Sequence, residues 1–391
     1  MVPAMQVDLS RTVEVLNWNR RIFSVLGIWP PNIDDRIFSF FFIYLTIHCC
    51  LEYAELIEYI DDLEYVVANL TESATLTTLL FKIGAYRFNA KQLREVLADI
   101  EDDFVDNKYK TTEERLTFLK YNSTSKNFIK IAIPLIFITA CMFYLRPLTG
   151  QLITSNSHAG NTSTVYVMPY RTRFFFEITE LRTYVLVYVC QVPIVLLGTL
   201  GYTGTDCLLV TLILHVCGQL SVLSHRVKEV TTSPLGYRHV IRELVTNHLR
   251  LIRLVNILDS AFNLLLLQQL LAITIILCMV GYNIIANSED GQKAHLFTYL
   301  LYASSMLLQH FSYCLIGECL INESMNFSYA FYDCNWYEVP PKYLKLFLVC
   351  MSRSQRPLVL TAGRYYVFSL QSFTDVVKTS ITYLSVLRTF L

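Results

Sequence analysis

Residues 365–391 read Y-Y-V-F-S-L-Q-S-F-T-D-V-V-K-T-S-I-T-Y-L-S-V-L-R-T-F-L and close the sequence. The run is apolar and long enough for a membrane helix, which takes about 20 residues to cross the bilayer core. Yet hydroxyl and charged residues recur along it. At about 100° per residue, Asp375, Thr379, Thr382, Val386, Thr389 and Phe390 fall on one face. Such a stripe can be a packing seam, because Ser and Thr join helices in membranes. It can also wall an ion pathway, acidic and hydroxylated at one end and apolar at the other. Both readings make the fold one of membrane-spanning helices.

Working outward, the composition agrees. The 391 residues carry 32 basic and 32 acidic side chains, so the net charge is zero. A neutral chain offers no electrostatic footprint for nucleic acid. Charged residues make up 16 % and mean hydropathy is +0.40, whereas soluble domains are about a quarter charged. The apolar residues gather into runs that predict spans at 37–57, 70–86, 128–145, 184–223, 262–285, 296–320 and 365–391. Span two is short and polar. The run 184–223 weakens at 198–206 and reads as one long helix or two spans. Arg146-Pro147 is predicted to stop span three, before a polar loop over 148–176. That loop has a glycosylation pattern at Asn161, as do Asn69 and Asn122. Residues 343–360 read as an apolar half-helix broken by S-R-S-Q-R-P.

Charge counting decides the path, because Lys and Arg collect in cytoplasmic loops. The segment before span one has 4, and the gaps that follow have 0, 8, 4, 6, 1 and 5. This alternation predicts an all-α protein of seven transmembrane helices, amino terminus cytoplasmic and carboxyl terminus extracellular. Two spans over 184–223 would put the charges of 226–253 outside. That region is therefore read as one crossing with a cytoplasmic extension. Residues 1–36 show no signal peptide, so span one is expected to direct insertion.

Most other classes lack their parts. A G-protein-coupled receptor has the opposite orientation, an Asp-Arg-Tyr after span three and an Asn-Pro-x-x-Tyr in span seven. The 11 cysteines are scattered without paired C-x-x-C motifs, and His48, His215, His225, His239 and His248 are too dispersed for a metal set. Neither a phosphate loop nor a nucleophile elbow is present, and no inverted repeat marks a transporter. The chain reads as neither an enzyme nor a cofactor protein.

Gly317, Trp336-Tyr337, Ser352-Arg353-Ser354-Gln355-Arg356-Pro357-Leu358, and Ser369-Leu370 with Phe373, Lys378-Thr379-Ser380 and Tyr383 resemble the carboxyl-terminal signature of insect odorant receptors. The detailed match runs from Gly317 to the end. The resemblance implies an odorant-gated, non-selective cation channel in the plasma membrane, assembled as a hetero-tetramer with a shared co-receptor. The co-receptor carries a large insertion between spans four and five. Residues 225–261 hold none, so the chain resembles a ligand-tuning subunit. Gustatory receptor channels are the neighbouring alternative, but they carry Gln-Phe where this chain has Thr389-Phe390.

The resemblance also implies roles. It aligns the family's gate with Val386, Thr389 and Phe390, which Thr382 and Asp375 continue inward. Lys378 lies one turn from Asp375, as a partner or as a selectivity charge. The odorant pocket is implied in the outer halves of spans two to six. Orientation then selects Thr78, then Phe137, Cys141 and Tyr144, then Leu181, Tyr184 and Tyr188, then Ile276 and Met279, then Tyr299 and Tyr302. Apolar, aromatic walls suit a small volatile ligand. The expected organisation is a six-span ligand-binding part (1–320), a cytoplasmic anchor (321–364) held by Trp336 and Arg353, and a pore helix (365–391) among membrane lipids.

Overall fold

The computed structural model describes residues 13–104, 108–157, 167–176, 180–228, 230, 236–289 and 293–387. Among them the protein is all-α apart from one small hairpin. In order come α1 (Val13–Val25), α2 (Asp35–Glu58), α3 (Leu63–Phe88), α4 (Ala90–Glu101) and α5 (Thr112–Ser157). Then follow α6 (Leu181–Cys190), α7 (Val192–Gly198), α8 (Gly204–Lys228), α9 (Tyr237–Glu289), α10 (Lys293–Asp333), α11 (Pro341–Ser354) and α12 (Leu370–Leu387). Two helix starts are capped as their sequences require. Asp34 accepts from the amides of Arg36 and Ile37, and Asp62 accepts from that of Tyr65.

The bundle is wrapped around α8. Every residue from 204 to 217 is buried, as a helix apolar on all sides must be. It packs against α5, α10, α9 and α1. On the outside, α2 exposes Phe40, Ile43 and Ile47 in a row, a surface that faces something other than water. Four helical runs are long and apolar enough to cross a membrane: Asp35–Glu58, Thr112–Leu148, Leu181–Lys228 and Tyr237–Ile285. Helix α3 is more polar, but Thr71, Ser73, Thr78 and Lys82 are all buried. Its polarity faces the bundle interior.

Several boundaries differ from the sequence reading. Helix α5 does not stop at Arg146-Pro147. It runs to Ser157 with Pro134 and Pro147 inside it. A helical proline costs about 3 kcal/mol, and here Arg146 bonds to Tyr299 and Glu72 on neighbouring helices, which opposes a break. The run 181–228 is helical almost throughout, with a turn at Gln191 and one π turn at Thr199–Thr203. The half-helix expected over 343–360 is α11 plus an extended tail. Strands β1 (Thr361–Ala362) and β2 (Tyr366–Val367) then pair antiparallel, so the last helix starts at Leu370 rather than at 365. Gly363 and Arg364 both take positive φ in the turn, the conformation that tight hairpins demand. Asn69 is fully buried and bonds to the Glu52 carbonyl, which closes that tripeptide to a glycan. Asn161 lies outside the described residues.

Candidate functional site

A cavity of about 130 Å³ lies between the upper parts of α3, α5, α7 and α10. Helix α3 contributes Thr71, Glu72, Thr75, Leu76 and Leu79, which share one face at steps of three and four residues. Helix α5 adds Ile136, Thr139, Ala140 and Phe143. From α7 and the π turn come Ile194, Val195, Gly198, Thr199 and Tyr202, and from α10 come Tyr302, Ser305 and Met306. Glu52 of α2 and Tyr170 complete the wall. The walls are mostly apolar, with a few converging polar groups, as small-molecule sites are built.

Two carboxylates stand on this wall. Glu72 lies 3.4 Å from Arg146 and 3.6 Å from Arg171, and accepts from the Arg171 amide at 3.1 Å. The Arg146 guanidinium also covers the Phe143 ring at 4.6 Å. Glu52 is 1 % exposed. His48 Nδ1 sits 3.2 Å from its Oε1, without the alignment of a hydrogen bond.

Below the cavity lies a buried polar cluster. Lys82 Nζ of α3 is 2.7 Å from Asp206 Oδ1 of α8 and 3.2 Å from the Tyr313 hydroxyl of α10. Tyr313 and Gln309 both donate to Asp206. The Tyr202 ring, a cavity wall, lies 3.8 Å from the Lys82 ammonium, and Gln269 of α9 donates to its hydroxyl at 3.1 Å. On the far side, Tyr313 meets Phe368 edge-on at 6.1 Å. Phe368 is fully buried and stands two residues before α12. A continuous line of contacts thus joins the cavity wall to the start of the last helix.

Helix α12 packs on α9 and α10. Ser372, Val376 and Ser380 are buried at four-residue spacing, while Asp375, Lys378, Thr379, Thr382 and Val386 are exposed. Asp375 accepts from Gln371 at 3.3 Å and forms no ion pair with Lys378. Thr389 and Phe390 lie outside the described residues.

Of the pocket residues taken from the sequence, Tyr302 lines the cavity. Thr78 faces α9 instead and accepts from Gln268. Phe137 and Leu181 point outward at 40 % and 63 % exposure. Tyr144, Tyr184 and Tyr188 form a separate buried cluster against which Cys141 packs. Ile276 is buried and Met279 half-buried on α9, which supplies no wall to the cavity. Tyr299 accepts from Arg146 at 2.8 Å.

At the end of the bundle away from the cavity, Arg250 clamps Asp103 and Asp99, and Asp103 also meets His215 and Lys108. Burial alone would raise the Asp103 carboxyl. Hydrogen bonds from His215 and Arg250 overcome this and hold it well below the usual carboxylate range. Trp336 and Arg353, expected as anchors, are exposed in the single chain. Phe327, Phe331 and Phe347 form the buried aromatic contact there.

A cavity enclosed by helices of membrane length defines a polytopic helical membrane protein. Its family follows from comparison: the chain belongs to the 7tm Odorant receptor family, which it matches over residues 62–381. Odorant receptor 13a of Drosophila melanogaster is 28 % identical over 202 residues, 47 % of this chain and 48 % of that protein. The odorant receptor coreceptor of the same species is 28 % identical over 150 residues, 38 % of this chain and 30 % of that protein. The matched stretches therefore span about half or less of these two relatives. The fold extends further. The insect olfactory receptor OR5 from Machilis hrabei superposes with a TM-score of 0.79 over 97 % of this chain and 99 % of its own, at 14 % identity. The same receptor in complex with eugenol gives 0.83 over 98 % and 100 %. The family is one of receptors, not enzymes.

Proposed function

We propose that this chain is the ligand-tuning subunit of an odorant-gated, non-selective cation channel of the plasma membrane, assembled with a co-receptor as a hetero-tetramer. Residues 1–320 hold the ligand, 321–364 anchor the subunits on the cytoplasmic side, and the last helix lines the pore. The line from cavity to α12, through Tyr202, the Lys82–Asp206 pair, Tyr313 and Phe368, carries the reading. A ligand in the cavity bears on Tyr202 at one end of this line, and α12 stands at the other.

The exposed face of α12 supports a pore role. Asp375, Thr379, Thr382 and Val386 are all exposed on it, in keeping with a surface shared with neighbouring subunits. Gating follows only if the ligand binds the open arrangement more tightly than the closed one.

The test is whole-cell current in cells expressing this chain with a co-receptor and exposed to a diverse volatile panel. Ligand-gated cation current that persists with G-protein signalling blocked is the expected result. Responses abolished by that block, with no ligand-gated current, would overturn the channel reading.

A further inference from the structure

We propose that residues 170–176 form a lid over the cavity that the bilayer itself holds: Phe175 and Phe176 sink into the acyl chains of the leaflet nearer the cavity. The partner is lipid, and the proposal rests on the membrane fold rather than on the channel reading.

Helix α2 supplies a scale of depth. Ile37, Phe40, Ile43, Ile47 and Ile57 are exposed along one side of it. From Ile37 to Ile57 this stripe is about 30 Å long at 1.5 Å per residue, the thickness of a bilayer's hydrocarbon core. Charges bracket it, with Asp34, Asp35 and Arg36 before and Glu58, Asp61 and Asp62 after. The Arg173 amide donates to the Leu51 carbonyl at 3.2 Å. Leu51 lies about 9 Å short of the Ile57 end of the stripe, inside the hydrocarbon band. The Arg173 guanidinium reaches back to Glu58 at 3.1 Å. Leu51 follows Ile47 by four residues and Glu58 follows Leu51 by seven, so both belong to the striped side of α2. The chain therefore leaves the bundle on a lipid-facing flank, below the level where the charges begin.

Phe175 and Phe176 come next, 89 % and 53 % exposed, and the rings of Phe174 and Phe176 lie 5.6 Å apart. Aromatic side chains left uncovered at that depth meet acyl chains rather than water, while Arg173 snorkels to the polar boundary above them. The other end of the segment is cavity wall. Tyr170 lines the cavity. The Arg171 amide donates to Glu72 at 3.1 Å, and its carbonyl accepts from Asn69 at 3.4 Å. The Arg171 guanidinium covers the Tyr65 ring at 5.0 Å, and Thr172 accepts from Gln191 at 3.2 Å. Only a few residues separate the cavity wall from the lipid, so what holds Phe175 also steadies Tyr170.

Phe175→Trp in the purified full chain, set in nanodiscs, tests the depth. Its added fluorescence, taken as the difference from the unaltered chain, should be quenched by lipids brominated near the headgroup end of the acyl chain and spared by aqueous iodide. Trypsin tests the hold. In Phe175→Ser/Phe176→Ser, cleavage after Arg173 should run about tenfold faster than in the unaltered chain, because the segment no longer gains from apolar burial. Phe175→Leu/Phe176→Leu should restore the resistance. Both rings are exposed in the single chain, so these variants leave its core intact. Quenching by iodide alone, or protection from both quenchers, as under a neighbouring subunit, would overturn the proposal. So would cleavage after Arg173 that is indifferent to both double variants. None of these readouts needs a ligand or a current, so they stand apart from the channel reading.

Discussion

Lys82 Nζ and Asp206 Oδ1 lie 2.7 Å apart with their side chains 0 % and 5 % exposed, so a full ion pair sits inside the helical bundle. Its desolvation is offset by Tyr313, Gln309 and the face of the Tyr202 ring. Removing one partner of such a pair leaves an uncompensated buried charge and costs about 3–5 kcal/mol, whereas replacing both with apolar groups is often tolerated. Lys82→Met and Asp206→Leu should each lower the melting temperature in detergent and abolish surface delivery. The double variant should recover both. If it also passes no ligand-gated current, the pair links ligand to pore; a normal current would confine it to folding.

Gly317 of α10 lies against the backbone of the segment that launches α12. A Cβ there would meet the carbonyl oxygen of Phe368, and backbone cannot swing aside as a side chain does. Gly317→Ala should therefore displace Phe368 and α12. Loss of current at normal surface density is the expected outcome, measured by surface labelling beside electrophysiology.

Gly198 makes the opposite case. A Cβ at this cavity-lining position meets nothing within 4 Å. Gly198→Ala should keep or raise stability by up to about 1 kcal/mol, because alanine is the better helix former. Gly198→Val should shrink the cavity and shift responses toward smaller ligands, read as a change in rank order across a homologous series.

His248 sets a pH window. Burial, and then the charge of Arg353, push it down from 6.5 to about 4. Its ring lies 4.6 Å from that of Phe327. The folded protein keeps this imidazole neutral, whereas the unfolded chain protonates it below about pH 6.5. The stability it contributes is complete above that pH and is lost as the pH falls towards about 4. Melting temperature should drop across this window, and His248→Phe should flatten the drop. Asp103, held well below the usual range, is spent only at lower pH.

The helices were legible because apolar runs of membrane length leave little choice, and the family match rests on residues 62–381. The cavity was less legible. On α5 the wall is Ile136, Thr139, Ala140 and Phe143, one residue out of phase with Phe137, Cys141 and Tyr144. That helix is apolar on every side, so no sequence pattern selects the inner face. On the fourth span the wall lies deeper, at a π turn inside the stretch 198–206 where the apolar run weakens, a dip that marks the place without giving its geometry. Glu52, Glu72, Lys82 and Asp206 did carry a signal. Charged residues within spans are rare and functional as a rule, and they mark the cavity and the cluster beneath it. The hairpin before α12 was signalled by Gly363 inside an apolar run. Its tie to α9, where Asp259 accepts from Thr361 at 2.7 and 2.8 Å, needed the fold.

The most direct measurement is ligand-gated current in outside-out patches carrying Val386→Cys, before and after a charged thiol reagent. Excision removes soluble messengers, and the reagent reports whether this position lines the conducting path. A current that survives excision and is blocked by the reagent in Val386→Cys, but not in the unaltered chain, is the predicted result. A current that vanishes on excision, or one the reagent leaves untouched, would contradict the account of α12 as the wall of a ligand-gated pore.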